Sequence, residues 1–237
     1  MSCIVRAVDI NGVRDPRELS ADEVWVVDSR ARRGDPASFD ASAATMSPAG
    51  RSLRPSLVAM PGRIDELERR LAAHRVKGAP DVLRICPGPE GHGFPLEPWA
   101  VSPIPEYCER EEVALAIDFG APAPAYPWAE MVRFARDYPR LPMVALGAPL
   151  GGPVPARALD ASPNLILETS AVADDGGAQK LAGLVRSHGA YRFAYGSGIA
   201  GGAPAILAEV LDAPQAGIVL SETAGQLATG KWAATHL

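Results

Sequence analysis

Short apolar runs recur along the chain, separated by stretches whose apolar residues follow a helical period. Residues 24–27, 57–60, Val82–Ile85, 113–117, Met143–Leu146, Leu165–Glu168 and 193–195 each read as one short buried strand. Between them, Ile64, Leu67 and Leu71 recur at i, i+3 and i+7, which places them on one face of a helix. Trp128, Met131, Val132, Ala135 and Tyr138 form the clearest amphipathic pattern. Leu181, Leu184, Val185 and His188 mark another helix, closed by Gly189. Pro103–Arg110 is predicted helical, with proline in its opening turn. Residues 203–211 and 215–228 read as two closing helices.

Strands that alternate with helices of this length imply βαβ units and a parallel sheet. The predicted fold is α/β, a (β/α)8 barrel of the TIM type with one shortened unit. Its eighth strand is expected between Asp35 and Arg54. An open doubly wound sheet is the alternative. Residues 1–22 are polar and carry Asn11-Gly12, a turn signal, so they read as a lead-in, a hairpin capping the barrel floor. Residues 23–237 read as a single barrel domain. In a barrel, the loops after the strands form the active face.

Composition narrows the classes. The 237 residues are 47% hydrophobic and 22% charged, with a formal charge of -5, which suits a globular chain and argues against a nucleic-acid partner. No apolar run is long enough to span a bilayer, and the first residues lack a secretory pattern. A cytoplasmic protein with no membrane partner is the expectation. Cys3, Cys86 and Cys108 are widely spaced and read as free thiols. Of the four histidines, His74 and His188 fall at helix ends and His236 lies beside the last residue. His92 sits in Gly91-His92-Gly93, after the third apolar run, where it could reach the barrel mouth.

Four apolar runs end in small-residue phrases: Val26-Val27-Asp28-Ser29-Arg30-Ala31-Arg32, Ala114-Leu115-Ala116-Ile117-Asp118-Phe119-Gly120, Val144-Ala145-Leu146-Gly147-Ala148-Pro149 and Phe193-Ala194-Tyr195-Gly196-Ser197-Gly198. Others stand between them: Lys77-Gly78 through Leu96, Tyr138-Pro139-Arg140-Leu141-Pro142, Ser162-Pro163-Asn164-Leu165 through Ser170, and Glu222-Thr223-Ala224-Gly225-Gln226-Leu227. Their order, from Val24 to Leu227, resembles the amidohydrolase superfamily, in particular its barrel-shaped metal-dependent hydrolases and decarboxylases. The resemblance implies His-x-His on the first phrase, a His on the second and third, and an Asp on the last, together gripping a divalent metal. Here those places hold Arg30 and Arg32, Asp118, the Gly147-Ala148 pair and Gly198. Guanidinium groups present donors only, and a lone carboxylate does not hold a metal. The expectation is a degenerate member with neither a metal nor another cofactor.

Arg30, Arg32, Arg84, His92, Asp118, Glu168, Ser170 and Ser197 all fall near predicted strand ends. Two readings stand for them. In one, the arginines form an anion pocket for a carboxylate or phosphate. In the other, Arg30 and Arg32 pair with Asp118 or Glu168 and plug the barrel. The loops Gly120-Ala121-Pro122-Ala123-Pro124-Ala125 and Gly147-Ala148-Pro149 are expected to add few polar contacts. Gly196-Ser197-Gly198 lacks the G-x-S-x-G pattern of a nucleophile elbow.

Three functions follow from these readings. One is a non-catalytic subunit or regulator, partnered by its own copies or by an active amidohydrolase relative. Another is a metal-independent hydrolase or lactonase, with Asp118 as general base and Arg30 and Arg32 holding a carboxylated substrate. The last is a binding protein for a small anion.

Overall fold

The computed structural model describes residues 8–12, 23–26, 52–55, 57–75, 82–89, 91–120, 126–172, 174–196 and 204–237. Its strands are β1 (Val8–Gly12), β2 (Glu23–Val26), β3 (Ser52–Pro55), β4 (Leu57–Val58), β5 (Val82–Ile85), β6 (Ala114–Asp118), β7 (Met143–Leu146), β8 (Leu165–Glu168) and β9 (Phe193–Ala194). Every recorded pairing is parallel. One sheet has the order β1-β2-β3 and the other β4-β5-β6-β7-β8-β9. Only residue 56 separates β3 from β4, so one run of chain borders both sheets.

The order is sequential throughout. A doubly wound sheet reverses its strand order at a switch point, and this one does not. The architecture is therefore the TIM-type barrel. A helical segment following β9 touches both β9 and β1, bridging the first and last strands.

One expectation is corrected here. Asn11-Gly12 is not a hairpin turn; it ends β1, which pairs parallel with β2. β1 left no sign in the sequence pattern, while the strand expected between Asp35 and Arg54 falls mostly outside the described residues. Of that interval, Ser52 to Arg54 are described, and they lead into β4 as part of β3. The sequence between β1 and β2 is short. Residues 13–22 are fewer than the dozen or more that a parallel crossover ordinarily takes.

The helices are α1 (Ile64–Arg75), α2 (Pro98–Val101), α3 (Pro103–Arg110), α4 (Trp128–Asp137), α5 (Val154–Ala161), α6 (Asp175–His188), α7 (Pro204–Val210), α8 (Ala213–Gly217), α9 (Thr223–Ala228) and α10 (Lys231–His236). A π-helical turn, Ile218–Glu222, joins α8 to α9. α6 shows how the local sequence sets its ends. Asp174 caps it by accepting from Gly177 N at 2.7 Å, and Gly189 ends it with φ 86°. Among the described residues, no helix is long and apolar enough to cross a membrane.

Strand alternation sorts the core into two faces. Leu83, Ile85, Leu115, Ile117, Leu165 and Phe193 pack outward against Leu67, Ile104, Met131, Phe134 and Leu181 of the helices. Val82, Ala114, Ala116, Val144, Ile166 and Ala194 face inward and pack with Ala224, Leu227 and Trp232. Trp232 is fully buried, and its Nε1 donates to Tyr191 O at 2.9 Å. Gly230 lies against Glu112, where a Cβ would come within 3.0 Å of the Glu112 carbonyl oxygen. Tyr191 and Glu112 both stand just before a strand. The C-terminal helix thus covers the N-terminal edge of the sheet, the place the sequence reading assigned to a lead-in hairpin.

A buried side chain locks α4 to the strand that follows it. Asn164 Nδ2 lies 3.0 Å from Ala135 O, 2.8 Å from Tyr138 O and 2.9 Å from Leu141 O. These carbonyls belong to the end of α4 and the turn into β7, where backbone acceptors would otherwise lack partners.

Candidate functional site

The alternation that points Val82, Ala116 and Ile166 inward also points Arg84, Asp118 and Glu168 inward, at the C-terminal ends of β5, β6 and β8. All three are buried, at 1%, 4% and 0% exposure. Charged residues this deep are found paired or fully hydrogen-bonded. The structure supplies partners for each.

Arg84 is in register with Ala116, which makes Asp118 its diagonal neighbour on the adjacent strand. Its Nε lies 3.3 Å from Asp118 Oδ2. The other carboxylate oxygen, Oδ1, accepts from Gly120 N at 2.9 Å. The guanidinium shown beside Asp118 is therefore that of Arg84. Arg30 and Arg32, which the plug reading placed there, lie outside the described residues, as does Ser197.

Glu168 is clamped from two sides. Oε2 accepts from Gly147 N at 2.9 Å and from Ser170 Oγ at 2.6 Å, while Oε1 accepts from Ser170 N. Gly147 adopts φ 64°, a left-handed conformation that favours glycine. Gly196 fits flush against the carboxylate, and a Cβ there would overlap Glu168 Oε1. Ser170 donates to Glu168 through both its hydroxyl and its backbone N–H.

His92 occupies a turn held by His92 N donating to Cys86 O at 2.7 Å. Its ring is half-buried and stacks on Phe94, with 6.5 Å between centroids.

The sequence reading missed Tyr126. It follows the small-residue loop after β6, where few polar contacts were expected. The ring packs edge-on to Phe119 at 5.2 Å and against Trp128 at 4.8 Å. Its hydroxyl is buried and has no hydrogen-bond partner among the described residues. Burial raises its pKa, and the negative charges of Asp118 and Glu168 raise it further, so the phenol stays protonated. A tyrosine closing a run of Gly, Ala and Pro was the only sequence signal for it.

Among the described residues, no three His, Cys, Asp or Glu side chains converge in a group able to hold a metal ion.

No protein-family model matches this sequence, and neither does any curated protein. Solved structures do match. An uncharacterized TIM-barrel protein from Bordetella bronchiseptica superposes with a TM-score of 0.65 at 16% identity, over 91% of this chain and 80% of that one. A dihydroorotase from Campylobacter jejuni gives 0.64 at 12% identity, over 94% and 82%. Amidohydrolase 2 from Bifidobacterium longum subsp. infantis gives 0.51 at 15% identity, over 95% and 99%. The chain therefore has an amidohydrolase-like TIM-barrel fold.

Proposed function

We propose that this chain is an amidohydrolase-like barrel that has lost the superfamily's metal chemistry and serves as a non-catalytic subunit or regulator. The Arg84–Asp118 ion pair carries this reading. Asp118 is the one ligand place of the resemblance that bears a carboxylate, and both its oxygens are engaged, by Arg84 and by Gly120 N. A guanidinium at that distance repels a divalent cation. Gly147, at another ligand place, has no side chain to offer. The described strand ends lack the converging ligands that a divalent metal needs.

The same pair weighs against the metal-independent hydrolase. A general base must reach the proton it removes, and Asp118 is turned toward Arg84 and Gly120 instead. The small-anion reading depends on Arg30 and Arg32, whose charges would have to outweigh Asp118 and Glu168.

Elemental analysis of the purified protein tests the proposal together with native mass measurement after capture from source cells. The expected result is no stoichiometric transition metal, with a mass above that of one chain. About one equivalent of zinc per chain would sink the proposal. So would a lone monomer that hydrolyses carboxylated lactones.

A further inference from the structure

Among the described residues, no strand pairs with β9 on the edge away from β8. A helical carbonyl takes the strand's place. Ala194 O accepts from Thr169 N at 3.1 Å and Gly196 N donates to Thr169 Oγ1 at 3.2 Å, both on the β8 side. Tyr195, between them, faces the other edge and donates from its backbone N to Val219 O at 2.9 Å. An α-helical carbonyl already accepts the N–H four residues on, which for Val219 belongs to Thr223. The π-helical turn redirects that donor: Thr223 N bonds Ile218 O, five residues back. Val219 O is thereby left for Tyr195. The redirection has a cost. A threonine hydroxyl in a helix ordinarily bonds the carbonyl three or four residues back. Thr223 Oγ1 is fully buried and has no partner among the described residues.

We infer that Ile218–Glu222 is a conformational latch with two arrangements, set by which N–H holds the Val219 carbonyl. In the one described, Tyr195 holds it and the end of β9 is fastened. In the other, Thr223 N takes Val219 O in an ordinary α-helical turn and the end of β9 is released. The extra residue of the π turn then moves toward α8, where Gly217 tolerates the change in backbone conformation. α9 and α10 stay docked, because the shift is taken up before them. The orphaned Thr223 hydroxyl offsets part of what the Tyr195 bond contributes, which brings the two arrangements closer in free energy. Gly196 moves with the end of β9. It stands directly against Glu168, since a Cβ there would overlap Oε1. The latch therefore governs whether the Glu168 carboxylate is covered. It depends on one carbonyl and its two competing donors, and holds whether or not the chain carries a metal.

Native-state amide hydrogen exchange on the full chain, read residue by residue by NMR, tests this. In wild type, the Tyr195 and Gly196 amides are expected to exchange through a local opening that leaves those of Leu227 and Trp232 protected. Exchange of Tyr195 only together with Leu227 and Trp232 would overturn the inference, because the seam would then have no opening of its own. Thr223→Val supplies the second arm, since valine keeps the shape and removes the hydroxyl. The closed arrangement then loses its orphan, and the open one loses a hydroxyl bond. Exchange at Tyr195 should slow by about tenfold, the value of one hydrogen bond. An unchanged or faster rate at Tyr195 in the variant would overturn the inference as well. Neither arm reads metal content or oligomeric mass, so the latch and the proposed function fail separately.

Discussion

Arg84 reaches diagonally across two parallel strands to place its Nε 3.3 Å from Asp118 Oδ2, with both side chains buried. Removing one partner leaves the other charge buried. Arg84→Met is expected to destabilise the fold by about 3–5 kcal/mol, and Asp118→Asn by a comparable amount. The double variant should recover most of the loss, because neither charge then remains. Urea denaturation of all four proteins gives the coupling. Additive losses would show that the pair is not the unit it resembles.

Glu168 offers a sharper chemical contrast. Gly147 N donates to one of its oxygens and Ser170 N to the other. In Glu168→Gln either orientation of the amide turns an NH2 toward a backbone N–H. The expected cost is about 1–3 kcal/mol. A variant as stable as wild type would mean that these backbone donors have other acceptors.

Gly196→Ala is expected to destabilise by about 1–3 kcal/mol, since the new methyl overlaps a carboxylate that three donors hold in place. In a Glu168→Ala background the same substitution should cost much less. Thermal melts of the single and double variants check this, and an unchanged cost in both backgrounds would argue against the contact.

Asn164→Ala strips three backbone carbonyls of their shared donor at the junction of α4 and β7. The expected loss is about 3 kcal/mol, seen as a lower denaturation midpoint. Asn164→Asp should be at least as damaging, because a carboxylate would face three carbonyl oxygens.

The pH dependence of stability has a component at His236. Its ring lies against Tyr191 and Trp232, and its Nε2 is 2.9 Å from Gln226 Oε1. Burial lowers its pKa in the folded state. The unfolded chain therefore binds the proton more readily, and stability falls as pH drops below about 6.5 toward the folded value. His236→Gln should flatten that part of the profile in urea titrations between pH 5 and pH 7.5. An unaltered profile would place the acid sensitivity elsewhere.

Strand and helix positions were largely legible because they depend on local period. Met143–Leu146 and Leu165–Glu168 appear where their apolar runs stand, and α6 ends at Gly189. β1 was missed because its sequence, Val8-Asp9-Ile10-Asn11-Gly12, combines polar residues with a turn dipeptide, and pairing with β2 outweighs that local signal. α5 was missed for a similar reason: Val154–Ala161 is rich in Ala and Pro, with little contrast between its faces.

By itself, the order of residues determined which chemical groups occupy the strand ends. Arg84, Asp118 and Glu168 carry charge there, and Gly147 and Gly196 can bring nothing but backbone. Only the tertiary structure decided which groups meet. Arg84 finds Asp118 because β5 and β6 pair in one register, and Glu168 finds Gly147 N because β8 lies beside β7. Periodicity is a property of neighbouring residues, whereas the partner of a buried charge depends on strands brought together from distant parts of the chain.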